Sequence, residues 1–101
     1  MDIQKWSKFS LAQQLGHIGS EIARARRWEE KNDFTSRDNA LERALELVDL
    51  TLEDRRWKTR LKEIARLREL MCDWFLGQKI YEILPSSLEE YCTIFALKIN
   101  A

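Results

Sequence analysis

His17, the only histidine in 101 residues, belongs to a set of polar side chains whose spacing could support acid–base chemistry. Residues three and four positions apart share one face of a helix. Four polar residues follow that spacing: Gln14, His17, Glu21 and Arg24. The carboxylate of Glu21, one turn from His17, could orient the imidazole and pair with its charged form. This polar flank is a candidate site for proton transfer, although an exposed or capping histidine is the favoured interpretation.

A second chemical feature is a run of basic residues that encloses a tryptophan. We define it as the basic patch: Arg55, Arg56, Trp57, Lys58, Arg60 and Lys62. Cations with an aromatic ring between them can hold phosphates and stack a base. However, the preceding segment, 37–54, is rich in acidic residues that supply counter-charges. The pattern therefore favours a solvated, internally paired face, with RNA binding as the alternative.

The sequence offers few materials for a metal or cofactor site. There is no second histidine, and Cys72 and Cys92 lie twenty positions apart without a nearby ligand. We therefore expect no catalytic residues, no metal and no cofactor. Both cysteines are predicted to be reduced core thiols, with a disulfide between them as the less favoured alternative.

Composition places the chain among soluble proteins. Its 17 basic and 17 acidic residues cancel, so no long-range field draws it to nucleic acid or to an anionic membrane. No stretch approaches the roughly 20 apolar residues that cross a bilayer, and the first residues do not form a secretory leader. We expect a cytoplasmic protein without membrane contact.

Helical periodicity predicts the elements that position these residues. Apolar side chains recur at three- and four-residue steps in four stretches, separated by polar or glycine-containing breaks. The first helix is expected to run to about Lys31 and the third to Gly77, and a loop is expected from Gln78 to Ser87. The expected N-terminal caps, in chain order, are Ser10; Thr35 or Ser36; Asp54; and Ser86 or Ser87.

These elements predict one all-α domain, residues 1–101, folded as an antiparallel up-and-down four-helix bundle with a short N-terminal helical turn. If the chain folds back near Asp54, the acidic segment 37–54 lies beside the basic segment 55–68. Asp49 and Arg60 are then at about the same distance from the turn. Arg68 falls on an apolar seam, where an unpaired charge is costly. A carboxylate such as Glu42 is expected beside it.

Two features predict contacts with another backbone or another chain. Gly16 and Gly19 lie in a stripe of small residues on the first helix, and each glycine costs about 1 kcal/mol relative to alanine inside a helix. Close packing against another helix of the same chain, or a homodimer seam, would offset that cost. Trp74 and Phe75 belong to a stretch that is apolar on nearly every side, so either the following loop or a second subunit must cover them.

Three segments carry a resemblance to a known group. They are 14–22 (QLGHIGSEI), 40–47 (ALERALEL) and 68–75 (RELMCDWF). They resemble small prokaryotic helical proteins whose bundle is similar to the HEPN domains found beside minimal nucleotidyltransferases in toxin–antitoxin and defence systems. Active HEPN ribonucleases carry an arginine shortly before the histidine, whereas Ser10, Leu11 and Ala12 occupy those positions before His17. The resemblance thus implies a relative without nuclease activity that acts as a dimeric partner or substrate-binding module.

The functional expectation is a non-catalytic interaction protein, homodimeric, that binds a protein such as a nucleotidyltransferase or a nucleotide-type ligand. The candidate partner-binding residues are Gly16, Gly19, Trp74 and Phe75. The alternative is an RNA-binding or RNA-processing protein that uses the basic patch.

Overall fold

The computed structural model describes residues 3–77 and 85–100, and this part of the chain is entirely helical apart from its connections. The helices are α1 (Ile3–Trp6), α2 (Leu11–Glu30), α3 (Phe34–Glu53), α4 (Leu61–Leu76) and α5 (Pro85–Asn100), with a 3-10 segment, Arg55–Arg60, before α4. Neighbouring main helices run antiparallel, with α2 against α3 and α5, and α3 against α4. The predicted all-α fold of four main helices and a short N-terminal helix is confirmed.

The first main helix begins at the predicted cap. The Ser10 hydroxyl accepts the Gln13 backbone N–H at 3.1 Å, and the Ser10 backbone N–H donates to the Gln13 side chain at 2.8 Å. This reciprocal pair satisfies two N–H groups that a helix start would otherwise leave unpaired.

The cap of α3 differs from the prediction of Thr35 or Ser36. Asp33 is the cap, because its carboxylate accepts both the backbone N–H and the hydroxyl of Ser36, at 3.0 and 2.9 Å. Thr35 and Ser36 already lie in the first turn of α3. A carboxylate in this position also interacts favourably with the positive end of the helix dipole, which explains why Asp33 takes the role.

The later helix ends agree with the prediction in part. Asp54 caps the 3-10 segment rather than α4, which begins only at Leu61, and non-helical backbone at Trp57 interrupts the 3-10 segment itself. Gly77 ends α4 as predicted, with φ +66°, a left-handed conformation that glycine adopts without strain. α5 begins at Pro85, so Ser86 and Ser87 lie within its first turn rather than at its cap. Residues 78–84 of the predicted loop lie outside the described part of the chain.

The core lies where α2 meets α3, α4 and α5. Its buried members include Leu15, Ile18 and Ile22 of α2, Ala44 and Val48 of α3, Ile64, Leu67 and Met71 of α4, and Leu88, Cys92 and Phe95 of α5. Burial of this apolar surface is the main favourable term in folding. Cys72 and Cys92 are both free thiols, so the alternative of a disulfide is wrong.

The charge pairing between α3 and α4 has a different register from the one predicted. The guanidinium of Arg68 donates to Asp49 at 2.6 Å, whereas Glu42 was expected as its partner. Arg60, the predicted partner of Asp49, instead pairs with Glu63 on its own side of the bundle, at 3.6 Å. Arg68 is not in the apolar seam, because its long side chain reaches the surface and leaves 42% exposed.

Within residues 3–77 and 85–100, no helix is both long and apolar enough to cross a membrane.

Candidate functional site

The polar flank is divided in the structure, because Gln14 is fully buried and lies apart from its other members. Its amide nitrogen donates to the backbone carbonyl of Trp6 at 2.9 Å and to Asp54 at 3.4 Å. Its amide oxygen accepts the indole N–H of Trp57 at 3.0 Å. Gln14 thus joins α1, α2 and the 3-10 segment, and we define these four residues as the Gln14 junction.

The other three flank residues line one cleft of about 300 Å³ between α2 and α3. α2 contributes His17, Glu21 and Arg24, and α3 contributes Arg43 and Glu46. Arg43 and Glu46 were not predicted as site residues, although both are charged and lie three residues apart on α3. Only the register between two helices brings them opposite Glu21, and a single sequence does not reveal that register.

Within this cleft, the carboxylate of Glu21 forms ion pairs with arginines rather than with His17. One carboxylate oxygen lies 2.6 Å from Arg24, and the other lies 3.1 Å from Arg43. The Glu21 side chain is only 12% exposed. Both oxygens of the Glu21 carboxylate are therefore occupied by guanidinium partners.

His17 contacts the aromatic residues of the N-terminal turn. The centroid of its ring lies 4.9 Å from that of Phe9 and 5.7 Å from that of Trp6. Among the hydrogen bonds of the described residues, none joins His17 to Glu21. The candidate acid–base pair is therefore not assembled, and the imidazole packs over the end of α1.

About half of the basic patch makes contacts within the chain. Arg56 donates to the Asp54 carboxylate at 2.6 Å and to the Phe9 backbone carbonyl at 2.9 Å, and its guanidinium lies 4.4 Å from the Trp57 ring centroid. The hydrogen bonds from Arg56 hold the pKa of Asp54 below its ordinary value and raise the pKa of Arg56. The ring of Trp57 is thus covered by Arg56 and tied to Gln14.

The remaining cations of the basic patch are exposed. Arg55, Lys58 and Lys62 make no hydrogen bond or ion pair within the described part of the chain. They are spread over the 3-10 segment and the start of α4.

The two glycines of α2 have different surroundings. A Cβ atom added at Gly19 would lie 3.4 Å from Cβ of Cys92, so this glycine faces α5 of the same chain. A Cβ added at Gly16 would meet nothing within 4 Å. Packing within the chain therefore accounts for Gly19, whereas Gly16 leaves α2 backbone open at the surface.

Gly16 lies in a groove of about 600 Å³ between α2 and α5, which we define as the α2–α5 groove. Small residues form much of its floor: Gly16, Gly19, Ala23 and Ala96. Arg24 and Arg27 line its α2 side, and Leu97, 65% exposed, lines its α5 side. The groove combines an apolar floor with a cationic edge.

Trp74 and Phe75 are partly covered by helices of their own chain. They pack against a small buried cluster formed by Ala25, Ala40 and Leu41. The indole N–H of Trp74 also donates to Glu29 at 3.2 Å. α2 and α3 thus supply much of the cover that the sequence analysis assigned to a loop or a second subunit.

Comparisons of the chain with protein-family models, with characterised proteins and with solved structures each gave no match. Within residues 3–77 and 85–100, no cluster of three or more histidine, cysteine, aspartate or glutamate side chains could hold a metal ion. The geometry of the chain itself is therefore the basis for a functional assignment.

Proposed function

We propose that this protein is a non-catalytic interaction module that binds a protein partner, in the first instance a second copy of itself, through the α2–α5 groove. The observation that carries the proposal is the pairing of Gly16, which leaves α2 backbone open, with exposed Leu97 across the same groove. A neighbouring helix can approach α2 closely only where side chains are small. Apolar surface left exposed beside such a groove favours association.

The contacts of the polar flank support an interaction role over catalysis. Glu21 is held by Arg24 and Arg43, and His17 packs against Phe9 and Trp6. Each group thus has a structural partner in place of a proton-transfer partner. The ion pair with Glu21 also fixes the guanidinium of Arg24, which lines the groove, where it would favour an acidic partner.

The relationship to HEPN-like bundles remains part of this proposal. Its support is the order of four antiparallel main helices, together with the segments quoted above from α2, α3 and α4. On that proposal, a nucleotidyltransferase produced beside this chain is the first protein to test as a second partner, and a nucleotide-type ligand is the alternative.

Native mass spectrometry on the purified protein tests the interaction proposal. Gly16→Trp places a large side chain in the groove at a position where an added Cβ atom meets nothing within 4 Å, and Gly16→Ala is the matched control that adds only that Cβ atom. We expect wild type and Gly16→Ala to form the same complex and Gly16→Trp to lose it, with unchanged helicity by circular dichroism. A complex that tolerates Gly16→Trp would contradict the assignment of the groove.

RNA binding is the second candidate, and the exposed side chains of Arg55, Lys58 and Lys62 favour it. Cationic side chains that neutralise RNA phosphates release counterions. The logarithm of the binding constant should therefore fall linearly with the logarithm of the salt concentration, with a slope of about −0.7 per contacted phosphate for a single strand. Fluorescence anisotropy with a single-stranded RNA of about 12 nucleotides measures that slope. Lys58→Glu with Lys62→Glu should abolish salt-dependent binding, and Glu42→Lys, on α3, is a charge-change control.

A further inference from the structure

The outer face of α5 carries apolar side chains that none of the described helices covers. Ile94 is 53% exposed and Leu97 is 65% exposed. The buried face of the same helix, formed by Leu88, Cys92 and Phe95, already packs into the core. α5 is therefore apolar on opposite sides, and a helix of that kind is normally covered on both.

The exposed face of α5 also has a symmetric arrangement of charge. Glu90 lies one turn before Ile94, and Lys98 lies one turn after it, so the three form a single i, i+4, i+8 ridge. Each charged residue is about 6 Å from Ile94 along the helix axis. Both are exposed, and neither forms an ion pair with any other described residue.

This arrangement is complementary to itself when one copy is reversed. If two α5 helices lie antiparallel with Ile94 against Ile94, Glu90 of each copy is level with Lys98 of the other. A two-fold axis then generates the same oppositely charged pair twice, which is the form of contact that symmetric dimers use. A parallel arrangement would place like charges together, so the charge pattern selects the antiparallel one.

We infer that α5 forms a homodimer interface in which two copies pair antiparallel about Ile94, joined by two reciprocal Glu90–Lys98 ion pairs. This inference rests on the proposed function and identifies the partner and the orientation. Leu97 lies on the side of α5 that lines the α2–α5 groove. The Leu97 side chain of each copy enters the groove of the other, beside the small residues of α2.

On its other side, Ile94 borders a hollow of about 310 Å³ that Tyr91, Phe95 and Glu63 also line. The ridge of α5 thus stands between two depressions, as packing of a ridge into a groove requires. Because only one helix face supplies most of the contact, the interface is at the small end of specific interfaces. We expect a dissociation constant on the order of micromolar.

A charge-swap experiment tests the pairing. Glu90→Lys alone places lysine opposite lysine twice, and Lys98→Glu alone places glutamate opposite glutamate twice. Each variant should dimerise about tenfold or more weakly than wild type in low salt, as measured by sedimentation velocity over about 1–200 μM. Glu42→Lys, an exposed change on α3, should leave dimerisation unchanged. Circular dichroism establishes that each variant keeps its helices.

Mixing the two variants is the decisive step. A mixed dimer of Glu90→Lys with Lys98→Glu restores an opposite charge at both ends, so equimolar mixing should recover wild-type affinity. A tag on one variant gives the mixed dimer its own mass in native mass spectrometry. A wild-type protein that stays monomeric overturns the inference, and so do weakened single variants whose mixture remains monomeric.

The failure of this inference and that of the proposed function give different results. A wild-type dimer that tolerates both charge swaps but is lost in Gly16→Trp overturns the α5 pairing and leaves the α2–α5 groove as the partner site. A dimer that tolerates Gly16→Trp, weakens in each single charge variant and recovers in their mixture supports the α5 pairing. The same result overturns the α2–α5 groove as the partner site.

Discussion

The indole N–H of Trp57 donates to the side-chain oxygen of Gln14, 43 positions earlier in the sequence, at 3.0 Å. The nitrogen of the same amide donates to the backbone carbonyl of Trp6 and to Asp54. Both halves of one buried amide are thus satisfied by two other parts of the chain, α1 and the segment 54–57. The Gln14 junction holds the N-terminal turn, the start of α2 and the 3-10 segment in one arrangement.

Removing that amide should destabilise the fold. Gln14→Leu keeps a similar volume but leaves the half-buried Trp57 indole N–H without its partner, whereas the Trp6 carbonyl still accepts the Phe9 backbone N–H. An unsatisfied buried group costs about 1–3 kcal/mol, so we expect the free energy of unfolding to fall by about that amount in urea denaturation. In the Gln14→Leu background, Trp57→Phe should cost little more. Additive losses would show that the two side chains do not share a hydrogen bond.

Stability should decrease in acid through Asp54. The hydrogen bonds from Arg56 lower the pKa of this buried carboxyl below the ordinary value of 3.8 in the folded state. A group with a depressed folded pKa contributes stability above its unfolded pKa and loses it as pH falls through the folded pKa. The contribution is therefore complete above about pH 5 and is lost progressively below pH 4.

Asp54→Asn isolates this effect. The variant should be less stable than wild type at pH 7, and the difference should narrow as the pH is lowered from 5 to 3. Urea denaturation of both proteins at each pH measures it. If the difference in unfolding free energy between the two proteins stays constant from pH 5 to pH 3, the charge of Asp54 does not contribute to stability.

The two cysteines should differ in reactivity. Burial raises the pKa of the Cys92 thiol to about 12, so almost none of it is thiolate at pH 8. Cys72 is only half-buried, and its sulfur lies 3.6 Å from the Arg68 guanidinium. With a disulfide reagent at pH 8, we expect Cys72 to react with the folded protein and Cys92 to react only on unfolding. Cys72→Ser and Cys92→Ser assign the two phases, and fast labelling of Cys72→Ser would contradict the assignment.

Leucine substitution should distinguish the two glycines of α2. Gly16→Leu gains helix propensity and meets open space, so it should stabilise the monomer by about 0.5–1 kcal/mol. Gly19→Leu places a large side chain against Cys92 of α5 and should destabilise by about 1–3 kcal/mol. Thermal unfolding at low protein concentration compares the two. Equal effects would indicate that α5 does not approach α2 at Gly19.

Helices and their order were predictable because they depend on local patterns. Apolar periodicity identifies the four main helices, and Ser10 and Gly77 mark ends at which backbone groups must be satisfied. The cap at Asp33 was missed, since several capping residues follow one another in that turn. The pairing of Arg68 with Asp49 was missed for a different reason: the long side chains of α3 and α4 allow several registers of similar energy.

The candidate site was less predictable than the fold. The side-chain spacing places Gln14 and His17 three residues apart, yet one is buried in a junction and the other packs on Phe9. That difference depends on where α1 folds back, which no local pattern encodes. The exposed apolar face of α5 was not predicted, because the exposure of Ile94 and Leu97 depends on how the helix packs against the others.

The antiparallel contact between α2 and α5 has a consequence for synthesis of the chain. The ribosome makes α2 early, but α5, which covers the Ile18 and Ile22 side of the core, emerges only after residues 85–100 are complete. Until then, the nascent chain carries an apolar surface that is free to bind chaperones or other nascent copies. Emergence of α5 is therefore the step that completes this side of the core.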